Sequence, residues 1–448
     1  MAKINNNSVL YFSALVAALS GFLFGFDTVV ISGAEQTIQS LWQLDDFTHG
    51  LTISMALWGT VIGALTGSWP TERWGRKKTL MLIGLLYLVS ALGSAIASNE
   101  FVLMGFRFMG GLGIGISTIA APLYITEISP PEQRGKLTGL FQFNIVFGIL
   151  MAYVSNALLR PLGAEAWRYM LGIQAIPSLI YLLLCMRLSE SPRWLILRKN
   201  DKPGARAILE KLQTQSNAST IDEMLERIAS TKPNVPERTS FFTKRLSKPI
   251  ALAFFIALFN QLSGINAILY YAPRIFEMAG LGDEVAMLQS IGIGLVNLLF
   301  TLIGLWLIDK AGRKTLLYWG SFGYILSLGL CSWAFATNMV SIIPYCIFGF
   351  IAAHAIGQGA VIWVFISEIF PNRYRDAGQS FGSSTHWILA ALLTLIFPKW
   401  VQWFSPSLIF GIFCFLMILQ LLWVHFQVPE TKGVALEELE SKILVSKK

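Results

Sequence analysis

Apolar residues come in blocks of about twenty, the length a helix needs to cross the hydrocarbon core of a bilayer. Such blocks lie near residues 9–32, 51–71, 79–98, 101–125, 136–158 and 170–188, and again near 250–273, 285–308, 315–336, 340–366, 378–397 and 405–427. A backbone in lipid must satisfy its own polar groups, so each block predicts a transmembrane helix, twelve in all. Between the sixth and seventh blocks, charged and Pro-containing pieces such as "KPGARAILEKLQ" predict short amphipathic helices. The expected organisation is an N-terminal bundle over 1–188, a cytoplasmic helical linker over 189–248, a C-terminal bundle over 249–428 and a cytoplasmic tail over 429–448.

Composition agrees with a membrane chain: 54% of residues are hydrophobic, only 13% are charged, and the mean hydropathy is +0.59. The start, "MAKINNNSVL", lacks the basic region and cleavage site of a secretory signal, so the first span is expected to stay in the membrane. The net charge of +8 does not point to nucleic acid. Arg73, Arg76, Lys77, Lys78, Arg134, Lys136, Lys310, Arg313, Lys314, Arg373 and Arg375 crowd into one set of loops, whereas the alternate set holds Arg160, Arg168, Arg274 and Lys399. Positive residues mark the cytoplasmic side, which predicts that both termini are cytoplasmic. Cys185, Cys331, Cys346 and Cys414 lie inside apolar blocks without CxxC spacing and read as packing residues.

The chain repeats itself. "ERWGRKKTL" at 72 is answered by "DKAGRKTLL" at 309, and "TEISPPEQRG" at 126 by "SEIFPNRYRD" at 367. "SESPRWL" and "PETKG" close the two halves, with Glu190 and Glu430 in corresponding places. The three offsets, 237, 241 and 240 residues, nearly agree. A six-span unit repeated in parallel orientation is a layout of alternating-access carriers.

Polar residues inside apolar blocks carry the candidate chemistry. "FNQLSGIN" places Asn260, Gln261 and Asn266 in the seventh block. Amides both donate and accept, as a ligand rich in hydroxyls requires. Gln261 and Asn266 would lie about 140° apart on an ideal helix, but "SG" at 263 and 264 can break it and let both face a cavity. "GFLFGFDTVVISG" places Asp27 inside the first block, where an ionised carboxylate needs a partner, a water-filled cavity or a proton. Arg107, the one cation within the interior of the first six spans, is the evident partner. A proton-coupling switch and a static ion pair serving packing are both open on these residues alone.

Two glycine patterns are decoys. "GGLGIGIS" at 110–117 resembles a dinucleotide loop but lacks the third glycine at the required spacing and lies within a span. Gly59, Gly63 and Gly67 recur every four residues, which predicts close helix approach.

In order along the chain, "RWGRKK", "PLYITEISPPEQRGKL", "ESPRW", "NQLSGINAILYYAP", "DKAGRK", "WVFISEIFP" and "VPETKG" resemble the motifs of the sugar porter family of the major facilitator superfamily, over Gly21 to Gly433. The chain departs from that pattern at Ser68, where Gly is usual, and at Ser189 and Ala360, where Pro is common; the last shifts the expected helix bend to Gly357 and Gly359. The resemblance implies an all-α fold of twelve transmembrane helices in two pseudo-symmetric six-helix bundles. It implies sugar-binding roles for Gln261 and Asn266, with Asn260 where a second Gln is usual, and for Gln142, Asn297 and Trp363. His386, before Trp387, stands where family members carry Asn or Gln, and both are expected to border the sugar; a histidine bonded to a neighbouring helix is the alternative. Ile149 is closer to the glucose and galactose carriers than to xylose symporters.

Bacterial sugar–proton symporters of this family pair an aspartate after "FG(Y/F)" with a helix-four arginine, which implies proton coupling by Asp27 and Arg107. The resemblance further implies that Arg76, Glu127, Arg134, Glu190, Arg193, Arg313, Glu368, Arg375 and Glu430 latch the cytoplasmic side in the outward-open state. Tyr270 and Tyr271 read as an outer aromatic gate or an interfacial belt. The expectation is a monomeric, lipid-embedded importer of a monosaccharide (glucose, galactose or xylose) with a proton, in a bacterial inner membrane. Facilitative uniport and sugar sensing are the rivals. No enzymatic activity, cofactor or metal is expected.

Overall fold

The computed structural model describes residues 8–212, 218–230 and 241–433. All the regular structure among them is helical. The first half contains α1 (Ser8–Val30), α2 (Asp46–Thr66), α3 (Arg76–Ala95), α4 (Glu100–Ile128), α5 (Pro131–Leu159) and α6, whose pieces are Ala166–Gly172 and Ala175–Met186. The second contains α7 (Ser247–Leu262, continued by Ile265–Tyr270), α8 (Asp283–Ala311), α9 (Arg313–Ala336), α10 (Ile343–Ile356 and Gln358–Ile369), α11 (Arg375–Trp403) and α12 (Pro406–Gln427). Eleven of these spans are long and apolar enough to cross a membrane by length and composition. The twelfth, α9, carries more polar and small residues, and occupies the place that α3 takes in the other half.

Packing repeats as the sequence does. In the first half α1 lies on α5, α2 on α4, and α3 on α4 and α6; in the second, α7 lies on α11, α8 on α10, and α9 on α10 and α12. The halves meet where α11 packs on α2 and α8 on α5. Two six-helix bundles related by pseudo-symmetry follow. Between them, helices Lys202–Leu212 and Ala218–Ser230 form a separate small core of Ile196, Ala205, Leu209, Ile221 and Leu225. The bend in α10 falls at Gly357, one residue after Ile356.

The two glycine patterns turn out to be two sides of one interface. A Cβ on Gly111 would sit 1.9 Å from the Ala56 carbonyl oxygen, one on Gly59 2.2 Å from that of Phe108, and one on Gly115 2.3 Å from that of Thr60. Lipid tails offer no hydrophobic drive between helices, so backbone-to-backbone contact of this kind supplies the packing.

Gly111→Val is therefore expected to force α2 and α4 apart, at a cost of about 3 kcal/mol or more given the backbone position of the clash. Gly105→Ala, on the same helix with open space around it, is expected to be neutral or slightly stabilising. Thermal unfolding of the two purified variants in detergent checks the pair; equal melting temperatures would contradict the interface.

Candidate functional site

The seventh span is broken where two amides have to meet. Gly264 has φ +87°, a conformation open to glycine, and it ends the helix at Leu262 before Ile265 starts the next turn. The break brings Asn266 Nδ2 to donate to Gln261 Oε1 at 2.6 Å. Gln261 Nε2 donates to Asn260 Oδ1 at 2.9 Å, and Asn260 Nδ2 to Gln358 Oε1 at 3.4 Å. The four side chains thus form a chain of amides, each donating to the next, that ends at the buried and unpartnered Gln358 Nε2. Gln358 follows the α10 bend and was not among the sequence-derived candidates; its only signal was a glutamine inside "IGQGAVIW".

Aromatic rings adjoin these amides. His386 lies 3.3 Å from Gln261 Nε2, and its ring centroid is 4.9 Å from Trp363 and 4.8 Å from Trp387. Trp387 also meets Phe24 of α1 at 5.7 Å, so the cluster spans the two bundles. Ile149 is buried on α5. Two expected members are not hydrogen-bonded to the amide chain. Gln142 is half-buried on α5, and the buried Asn297 accepts the Thr301 hydroxyl at 3.4 Å. His354 is bonded to its neighbour, with Nδ1 2.7 Å from the Tyr324 hydroxyl.

Asp27 and Arg107 are each about 1% exposed. Arg107 Nη1 donates to Asp27 Oδ1 at 3.0 Å, and Nη2 to the Asp27 carbonyl oxygen at 3.0 Å. The guanidinium therefore divides itself between side chain and backbone, leaving Asp27 Oδ2 and Arg107 Nε buried without partners. A buried pair so incompletely bonded is a poor source of stability, and removing one member leaves a charge that costs about 3–5 kcal/mol. Oδ2 is the carboxylate oxygen without a hydrogen bond, and the Gln174 side chain lies beside the same carboxyl group. Tyr270, fully buried, lies within electrostatic range of both charges.

At the end of the molecule that carries the linker, each bundle holds its own charged knot, and the two match. Arg76 donates through Nε and Nη2 to Glu127 at 2.8 and 2.7 Å, and Arg313 likewise to Glu368 at 3.2 and 2.8 Å. Glu190 accepts the backbone N–H of Arg76 at 2.8 Å, and Glu430 that of Arg313 at 2.9 Å. These bonds are internal to a bundle, and Glu127 takes Arg76 as its partner while Arg134 and Arg193 are exposed. Arg375 is half-buried at the start of α11.

The opposite end is closed across the bundles. Glu35 pairs with Arg274, Arg160 Nε donates to Asp283 at 2.7 Å, Gln36 donates to Glu277 at 3.0 Å, and the Tyr153 hydroxyl donates to the Leu269 carbonyl at 2.9 Å. Tyr271 is fully buried there, donating to the Thr394 carbonyl at 3.0 Å and packing on Phe397. Glu35 escaped the sequence reading, and Arg274 entered it only as a loop cation. Among the described residues, no group of three His, Cys, Asp or Glu could hold a metal ion.

The family model described as "Sugar (and other) transporter" matches residues 13–442. The arabinose-proton symporter of Bacillus subtilis is 35% identical over 95% of this chain and 93% of its own length. The D-xylose-proton symporter of Escherichia coli is 31% identical over 97% of this chain and 96% of its own. The inward-open structure of the E. coli xylose transporter XylE superimposes with a TM-score of 0.85 at 30% identity, covering 97% of this chain and all of that one. With the fold, the repeat and the motifs in agreement, the chain belongs to the sugar transporter family of the major facilitator superfamily and is a carrier, not an enzyme.

Proposed function

We propose that this protein imports a monosaccharide together with a proton by alternating access, with Asp27 as the proton carrier and the broken α7 as the main sugar-binding element. The observation that carries the reading is the buried Asp27–Arg107 pair, with one carboxylate oxygen bonded and the other free. While Arg107 is close, the carboxylate remains ionised; when the helices shift and the guanidinium withdraws, a proton on Oδ2 replaces the lost cation. Tyr270 lies near the pair and belongs to the α7 segment beyond the break, which gives the C-terminal bundle a route to it.

Sugar binding follows from the amide chain. Asn266, Gln261, Asn260 and Gln358 bond to one another in a row and leave Gln358 Nε2 unpaired. Hydroxyls of a neutral sugar can replace these bonds one for one, while Trp363 and Trp387 offer surfaces to the C–H faces of the ring. Neutral His386 can donate or accept beside Gln261. Gln142 and Asn297 complete the site from α5 and α8. Ile149, which resembles the residue of glucose and galactose carriers more than that of xylose symporters, favours a hexose such as glucose or galactose over a pentose such as xylose.

The linker end is assigned to the cytoplasm, because the Lys- and Arg-rich loops lie there. Both termini then lie on that side in a bacterial inner membrane, and the conformation described, closed at the far end by Glu35–Arg274 and Tyr271, faces inward. Arg76, Glu127, Arg134, Glu190, Arg193, Arg313, Glu368, Arg375 and Glu430 act as the cytoplasmic latch, regrouping when that side closes. Exposed Leu299, Leu302, Trp306, Trp319, Phe322 and Leu326 contact lipid, and the chain works as a monomer.

Two measurements in proteoliposomes check this reading. Asp27→Asn is expected to abolish sugar accumulation driven by an inward proton gradient while sugar exchange persists; gradient-driven accumulation by the variant would remove Asp27 from coupling, and equilibrating transport by both proteins would mean uniport. Gln261→Ala is expected to raise the half-saturating sugar concentration about five- to 150-fold, as loss of roughly 1–3 kcal/mol of hydrogen bonding requires. An unchanged value would place the sugar elsewhere.

A further inference from the structure

The closed end holds a titratable dyad, Glu35 and His49, whose protonation plays no part in the sugar and proton transport derived above. Glu35, on the short helix Glu35–Leu41, is fully buried, and so is His49 near the start of α2. Arg274, on the helix Ala272–Met278, donates to Glu35 through Nε at 2.9 Å and Nη2 at 2.8 Å, while His49 Nε2 lies 2.7 Å from Glu35 Oε2. His49 Nδ1 has no partner and no exposure. A doubly protonated ring would bury an unbonded N–H there, so the arrangement holds a neutral imidazole that donates from Nε2 to the carboxylate. Arg274 thus supplies the cation that balances Glu35.

Membership of the two bundles decides what happens on opening. Glu35 and His49 belong to the N-terminal bundle and Arg274 to the C-terminal one, so separation at this end removes the cation and leaves the carboxylate and imidazole together, facing water. We propose that the Glu35–His49 dyad is a second proton-binding site, filled from the outer face when that face opens and emptied when Arg274 returns. The proton enters and leaves on the same side, so it is not cargo. It sets the balance between the outward- and inward-facing states and leaves the proton-to-sugar ratio unchanged.

The sign follows from the charges around the site. Burial pushes the Glu35 carboxyl up, but Arg274 and the hydrogen bond from His49 outweigh it, so in the closed form it titrates below the ordinary carboxylate range. The other groups at this end are already engaged: Glu277 with Gln36, Asp46 with Gln39, Asp283 with Arg160, and Asp45 with the N–H groups of Phe47 and Thr48, near Lys399. The Tyr271 ring covers His49 at 6.3 Å. The closed form therefore binds one proton fewer than the open form. External acid therefore favours opening and external alkali favours closure.

The inference takes from the proposed function only that this face opens in turn. Nitroxide labels on Leu41→Cys and Val285→Cys, with the four native cysteines replaced by alanine, read the separation of the bundles at this end by pulsed spin resonance in nanodiscs. Asp27→Asn in the same chain removes the other titrating carboxylate. From pH 8 to pH 5.5 the ratio of open to closed distances is expected to rise, by at most about tenfold per pH unit for one proton. His49→Gln should abolish that rise, and Arg274→Gln should hold the face open with little pH dependence, a second reading should His49→Gln not fold. A rise that survives in His49→Gln, or no rise with all three residues intact, would overturn the site. A single distance population under every condition, with or without sugar, would instead fail the alternation itself. With Asp27 restored, His49→Gln is expected to keep the proton-to-sugar ratio of the parent; a lower ratio would overturn return to the same side.

Discussion

A carboxyl group buried inside the first apolar span is the constraint around which the N-terminal bundle is organised. Water is not there to solvate Asp27, and desolvating a charge costs several kcal/mol even after the surroundings relax. Arg107 reduces that cost only in part, because it also bonds the Asp27 backbone carbonyl and leaves Oδ2 bare. A pair built for stability would use both carboxylate oxygens. This one uses a single carboxylate oxygen, which is the feature on which the proposed proton coupling rests.

The other polar groups in the bundles obey the same economy. Asn266, Gln261, Asn260 and Gln358 are buried and bonded in a row, so that among their amide groups the unpaired polarity gathers at Gln358 Nε2. The charged knots at the linker end place each arginine on a carboxylate of its own bundle, so these bonds do not tie one bundle to the other. At the far end, by contrast, Glu35–Arg274 and Arg160–Asp283 bridge the bundles. Closure there is ionic and hydrogen-bonded, a kind of contact that can be remade, as a two-state device needs.

Much of this was legible in the chain. Twelve apolar blocks gave twelve spans, and the near-constant offset between halves corresponds to matching networks at Arg76–Glu127–Glu190 and Arg313–Glu368–Glu430. "SG" marked the break in α7, because only a residue tolerant of positive φ can sit at 264. The two glycine patterns were legible separately, but that they pack on each other was not, since helix pairing is a tertiary fact. Glu35 and Arg274, 239 residues apart, had no local pattern at all. Arg274 read as an ordinary loop cation and Glu35 did not stand out at all, and only the docking of one bundle on the other makes them a buried pair. Gln358 was hidden for a related reason: its partner, Asn260, lies on another helix.

The central claim is that sugar and proton cross together. The most direct test is to add sugar outside lightly buffered proteoliposomes with no pre-set gradient and to record external pH beside sugar uptake. The account expects alkalinisation of the medium in fixed proportion to the sugar taken up, beginning with it and abolished in Asp27→Asn. Sugar entry with no accompanying pH change would contradict it.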